Sequence, residues 1–220
     1  MSNPNLEIEK VYWSQGKLVI GIDEAGRGCL AGPVVAAAIA FPINFFLNQN
    51  VNHIKINDSK RLTKLEREIA FNFIKENSIY FSYAIIDNSI IDKYNILQAT
   101  QIAMNICLNS NKFENSVALV DGNYFQNLHD IEFKTIIQGD SKSLTIAAAS
   151  IVAKVIRDRF VIEFLHNLFP NCGFREHKGY ATKRHFDAIQ KYGKTPFHRN
   201  SFLKKFELRQ EMSQSQLKLF

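Results

Sequence analysis

Lys17 to Phe41 reads KLVIGIDEAGRGCLAGPVVAAAIAF, and the order of residue types within it decides the fold class. Lys17 to Asp23 (KLVIGID) is short, apolar and ends in carboxylates followed by glycines, the pattern of a buried strand with a functional loop at its carboxyl end. Gly32 to Phe41 (GPVVAAAIAF) reads as its partner strand. Ser78 to Asp87 (SIYFSYAIID), Ser116 to Asp121 (SVALVD) and Glu132 to Gln138 have strand character too, and SVALVD again ends in aspartate before glycine. Apolar residues at Leu62, Leu65, Ile69, Phe73 and Ile74 give residues 62–77 one apolar helical face. Residues 94–108, the alanine-rich 144–169 and 182–192 complete the helices. Strands leading to acidic loops, with helices between the later ones, indicate an α/β sheet whose carboxyl strand ends gather the chemistry.

The 220 residues, 46% apolar and 22% charged, suit one substantial core, so we expect one domain over residues 1–209 and a flexible tail over 210–220. Twenty-seven basic against 21 acidic residues give +6, which favours polyanionic partners over acidic small molecules, although a merely soluble basic protein would carry the same excess. Cys29, Cys107 and Cys172 are odd in number with no close pair, against a disulfide framework or a thiolate metal cluster. The amino terminus lacks the basic-then-apolar pattern of a signal peptide, and prolines and asparagines interrupt the longest uncharged stretch. The expectation is a soluble, monomeric, cytoplasmic protein without a membrane span.

Asp23 and Glu24 lie at one strand end, Asp121 at another and Asp140 just after a third. Adjacent strands could bring the four together, and so many anions stay ionised in one place only if cations neutralise them. Oxygen-only ligation suits Mg²⁺ or Mn²⁺ rather than zinc. The alternative is that each aspartate caps a helix or ends a strand, and spacing alone does not choose. Gly26, Arg27 and Gly28 form a loop where backbone amides can approach a sugar and phosphate with no Cβ between.

GIDEAGRGCLAGPVVAAA resembles the first motif of the ribonuclease HII family. The remaining family motifs follow in order: NDSKRL (Asn57 to Leu62), LVDGN (Leu119 to Asn123), GDSKSLTIAAASIVAKVIRDR (Gly139 to Arg159) and HKGYATKRH (His177 to His185). The resemblance implies a ribonuclease H-like fold, with a mixed five-stranded central sheet flanked by helices and a small helical carboxyl region. It puts the metal-binding carboxylates on Asp23, Glu24, Asp121 and Asp140, the same four. It further implies two-metal hydrolysis of RNA/DNA hybrids and of single ribonucleotides in duplex DNA, leaving 5′-phosphate and 3′-hydroxyl ends. In the family the loop of Gly26, Arg27 and Gly28 reads the 2′-hydroxyl, and a tyrosine aligned with Tyr180 packs on the neighbouring deoxyribose. An ordinary core tyrosine is the alternative for Tyr180.

Lys60 and Lys154 are expected to contact phosphates, with Lys142, Lys178, Lys183, Arg184, His198 and Arg199 as weaker candidates. Asp158 reads as a helix salt-bridge residue and Cys29 as a packing residue. A non-catalytic basic nucleic-acid-binding module remains a rival. A dinucleotide-binding domain does not, because an Asp-Glu pair ahead of the glycines would face the pyrophosphate. Gln216, Leu217, Leu219 and Phe220, in the terminal QLKLF, resemble the short peptide by which bacterial replication proteins dock on the DNA sliding clamp. An apolar tail folded back on the domain is the other reading.

Overall fold

The computed structural model describes residues 3–48, 54–108 and 115–204. The chain enters through α1 (Glu7–Trp13), then β1 (Leu18–Ala25) and β2 (Val34–Ala40) pair antiparallel about the acidic, glycine-rich connection. A single turn, α2 (Phe45–Asn48), precedes α3 (Lys64–Asn77), β3 (Tyr80–Ile86), α4 (Asn88–Cys107), β4 (Ser116–Asp121) and β5 (Glu132–Ile136). Next, α5 (Leu144–Arg159) passes through a π-helical stretch, Phe160–Leu165, into α6 (His166–Leu168). Next come α7 (Phe174–His177) and α8 (Lys183–Tyr192).

The described strands form one mixed five-stranded sheet in the order β3-β2-β1-β4-β5, parallel where β1 meets β4 and β4 meets β5 and antiparallel at the other two pairings. Side chains of β1 alternate between two covered faces. Leu18, Ile20 and Ile22 join Met104 and Cys107 of α4 on one face, whereas Val19 joins Ile146 of α5 and Trp13 of α1 on the other. The alanines of β2 split the same way, Ala36, Ala38 and Ala40 toward α4 and Ala37 toward α5. Small residues bring α5 hard against the sheet: a Cβ on Gly21 would lie 2.3 Å from the Thr145 carbonyl carbon.

The start of α5 is held from outside the sheet. Buried Glu9 of α1 accepts from Ser143 Oγ at 2.6 Å and from Thr145 N and Oγ1 at 3.0 Å each. Ser143 in turn caps the helix by accepting from Ile146 N. At seven residues α1 is too short for periodicity to reveal, and this contact fixes it.

Among the boundaries that differ from expectation, two bear on the site and its support. The strand β1 continues to Ala25, so Asp23 and Glu24 stand on the strand itself. The helix α4 starts at Asn88, six residues before the periodic pattern, because Asp87 accepts from the N–H groups of Ser89 and Ile90. Its first turns are separated from the rest by Asn95, at φ 67° and ψ 167°, which hides them from a single helical period.

Candidate active site

Parallel pairing puts three carboxylate-bearing segments at one edge. Gly21 faces Leu119 and Ile22 faces Val120, so Asp23 and Asp121 stand level on adjacent strands. Asp121 faces Ile136 on β5, and the chain beyond β5 turns through Gln138, left-handed at φ 56°, into a 3₁₀ turn, Gly139–Ser141, carrying Asp140. Gly139 N–H donates to Asp121 Oδ1 at 2.6 Å, tying the two acidic segments together. The four expected carboxylates are thus set at one edge, within electrostatic reach of one another.

Their electrostatics follow from burial and mutual repulsion. Asp23, 5% exposed, has its carboxyl raised well above the usual range by desolvation, then by Glu24, Asp121 and Asp140, against one backbone bond from Glu24 N–H at 2.6 Å. Glu24 is raised by burial, and Arg27, 3.4 Å away, offsets part of that rise. Asp140 is raised by burial and then by Asp58 and Asp121, with Lys60 Nζ at 3.7 Å opposing. Asp58 is thus a fifth carboxylate at this edge, supplied by the NDSKRL segment, in which sequence reasoning had singled out Lys60 alone. An all-oxygen donor set that the protein only partly neutralises fits a hard divalent cation. Among the described residues no three of these side chains close round a single point, and one oxygen each of Asp23 and Asp121 accepts from a backbone N–H.

The glycine loop lies beside the carboxylates. Gly26 sits at φ +99°, and a Cβ there would fall 2.1 Å from Arg157 Nε and 2.8 Å from the Pro33 carbonyl, so only glycine fits. Around Gly28 nothing lies within 4 Å of a Cβ, which leaves open space at an exposed backbone. Arg157, fully buried on α5, donates to the carbonyls of Pro33, Ala31 and Lys178 at 3.0 to 3.2 Å, clamping the loop's far end to the segment that carries Tyr180. A bridge between Cys29 and Tyr180 completes that junction.

Tyr180 is exposed rather than a core residue. Lys154 Nζ lies 4.8 Å from its ring centroid and 3.3 Å from its hydroxyl, and Arg157 lies 5.4 Å from the ring. Lys154 also pairs with Asp158 at 2.8 Å, which gives Asp158 its expected helix salt bridge and leaves Lys154 mostly covered. A phosphate would have to compete with Asp158 for it. Lys60, exposed and only loosely paired with Asp58 at 3.9 Å and Asp140 at 3.7 Å, can meet one, and Lys183 and Arg184 are exposed too, whereas Lys142 Nζ donates to the Ile137 carbonyl at 2.7 Å.

Two candidates for phosphate contact are corrected: His198 is 2% exposed and Arg199 fully buried, so neither meets a phosphate at the surface. His198 belongs to a buried trio with His177 and His185, packed on Phe174. Arg199 lies beneath the glycine loop. The carboxyl segment pairs with residues 30–32 far along the chain, and no local pattern announces that approach. Cys29 is buried with its thiol raised by desolvation, as suits a packing residue. The expected clamp-binding residues, Gln216 to Phe220, lie outside the described residues.

A mixed five-stranded sheet in this order, covered by helices on both faces, is a ribonuclease H-like fold. The family model described as Ribonuclease HII matches residues 20–205. Ribonuclease HII of Pelodictyon phaeoclathratiforme is 43% identical over 196 residues, spanning 89% of this chain and 94% of its own. The chain belongs to the ribonuclease HII family and is a ribonuclease H. Among solved structures, ribonuclease H2 of Pyrococcus horikoshii superposes with a TM-score of 0.69 at 25% identity, over 87% of this chain and 98% of that one. The PCNA:RNase HII complex of Archaeoglobus fulgidus contains a chain matching with a TM-score of 0.68 at 24% identity, over 83% and 94%. No described helix is long and apolar enough to cross a membrane.

Proposed function

We propose that the protein hydrolyses the phosphodiester on the 5′ side of ribonucleotides, both in RNA/DNA hybrids and at single ribonucleotides embedded in duplex DNA. The carrying observation is the desolvated carboxylate set beside an exposed, Cβ-free loop. Asp23, Glu24, Asp121 and Asp140 hold divalent cations, and Lys60 and Arg27 balance the remaining charge from the rim. Two bound Mg²⁺ or Mn²⁺ ions would supply an activated water and neutralise charge developing on the phosphate and leaving oxygen. The loop of Gly26, Arg27 and Gly28 receives the ribose, and Tyr180, held by Lys154 and Arg157, packs on the adjoining deoxyribose. Ribonucleotide removal from DNA and RNA primer removal are the roles such a specificity would serve, and the cytoplasm is the location proposed for them.

The test is incubation of a duplex carrying one ribonucleotide with Mg²⁺ or Mn²⁺, followed by mapping of the product ends. A single cut 5′ to the ribonucleotide, leaving 5′-phosphate and 3′-hydroxyl, is expected. Binding without cleavage under either metal would favour the non-catalytic nucleic-acid-binding module instead.

We also propose that the terminal QLKLF, Gln216 to Phe220, docks on the bacterial sliding clamp, with Leu217, Leu219 and Phe220 entering an apolar groove and Gln216 fixing the backbone. A family member solved in complex with a second protein, PCNA, is a precedent. Deleting 216–220 should leave cleavage of short duplexes unchanged and abolish clamp binding. A lowered melting temperature with no clamp binding by the full chain would mean that the tail folds back on the domain.

A further inference from the structure

A fully buried cation underlies the glycine loop. Among the described residues, the side-chain hydrogen bonds of Arg199 all end on main-chain carbonyls: Nε on Gly32 at 3.0 Å, Nη1 on Arg27 at 2.9 Å, and Nη2 on Gly26 at 2.8 Å and Pro33 at 3.1 Å. The carboxylate of Asp92 is occupied by the N–H groups of Asn200 and Ser201. Burial accordingly lowers the guanidinium to about 10. A buried charge without a bonded carboxylate is expensive, and neutral carbonyls only partly repay it. Lysine could not replace it, having three donors on a point charge rather than a planar fork.

What that expense secures is the direction of two peptide units. Peptides are planar and, among the described residues, all trans, so the N–H of each unit points opposite its C=O. Holding the Gly26 and Arg27 carbonyls inward turns the N–H groups of Arg27 and Gly28 outward. Among the described residues those two amides have no protein acceptor, whereas the next two, Cys29 and Leu30, donate to the carbonyls of Gly26 and Gly179. Arg27 and Gly28 are exposed, and the space above Gly28 is empty. Two adjacent unused donors above a buried cation form a seat for an acceptor oxygen.

We propose that Arg199 is the positioning residue for ribose discrimination, aiming the Arg27 and Gly28 amides at the 2′-hydroxyl oxygen. This rests on the loop being the ribose sensor proposed above. Arg157 has a different task, since its carbonyl partners lie outside Gly26 and Arg27 and join the loop's far end to Lys178.

The test compares wild type with Arg199→Lys. Dissociation constants are measured without divalent cations for two duplexes that differ by one ribonucleotide, together with the cooperativity of thermal unfolding. Wild type should prefer the ribonucleotide duplex, and in a cooperatively folded Arg199→Lys that preference should fall about tenfold, the equivalent of one or two misdirected hydrogen bonds. A purely structural role would lower the melting temperature and leave the ratio unchanged, overturning the proposal. If wild type itself shows no preference, the sensor reading fails and takes the proposal with it. Should Arg199→Lys not fold, the ratio is read on Arg199→Gln. If neither variant unfolds cooperatively, Arg199 is a folding element and the proposal is wrong.

Discussion

Asp23→Asn and Asp121→Asn are expected to lower cleavage of a ribonucleotide-containing duplex by about 1000-fold or more while leaving its affinity in place. Each substitution removes a charged oxygen from the cation-holding set without touching the exposed basic groups, Lys60, Lys183 and Arg184, that can meet phosphates. Stability should move in the opposite direction. Asp23 is buried among anions and its carboxyl is raised by desolvation first, so in the metal-free protein its charge is destabilising. Asp23→Asn should therefore melt at a higher temperature than wild type without metal. Added Mg²⁺ should stabilise wild type and have little effect on the variant. Turnover retained in both variants, or equal stabilisation of all three proteins by Mg²⁺, would falsify the metal-site assignment.

The carboxylates were legible in the sequence because each one ends a short apolar run, and parallel pairing of such runs stacks their ends. The level placement of Asp23 with Asp121 is a direct consequence. Asp140 follows because Gly139 closes onto Asp121. Arg199 and His198 were misread because charge and position in a basic carboxyl segment suggest a surface, and their burial depends on partners more than 160 residues away for Arg199. Arg157 had no local sign either, since its carbonyl partners come from residues 31, 33 and 178. The short α1 escaped for another reason: seven residues are too few to show a helical period, although Trp13 packs in the core and buried Glu9 ties the helix to the start of α5. Local patterns reveal elements and their acidic ends, while the groups that hold the loop are set by tertiary approach.

The buried histidines give the second large effect, on stability. Gly179 N–H donates to His177 Nδ1, so His177 Nε2 carries the proton given to the Cys172 carbonyl. His185 Nδ1 faces the Tyr180 carbonyl and must be its protonated nitrogen, which leaves Nε2 to accept from His198 Nε2 at 3.0 Å. His198 Nδ1 then accepts from Thr195 N–H at 2.9 Å. The network is complete only when all three rings are neutral, and His177 and His185 stack at 3.9 Å, where a second charge would be repelled. Burial is the first cause in each case, lowering His185 to about 3 and His198 to about 4, with His177 lowered as well. A depressed histidine stabilises the fold above its unfolded pKa of about 6.5, and that contribution is lost as pH falls toward the folded value. At pH 5 the unfolded chain gains about 2 kcal/mol from protonating each such ring, or about 4 kcal/mol from His185 and His198 together. Asp23, Glu24 and Asp140 act with the opposite sign in the metal-free protein, because raised carboxyls take up protons earlier when folded. A difference measurement cancels them: urea unfolding of wild type and His185→Phe at pH 7 and pH 5. The variant should be less stable at pH 7, and its loss between the two pH values should be smaller by about 2 kcal/mol. Equal losses would mean that His185 already carries a proton in the fold, and the hydrogen-bond order deduced from its neighbours would be wrong.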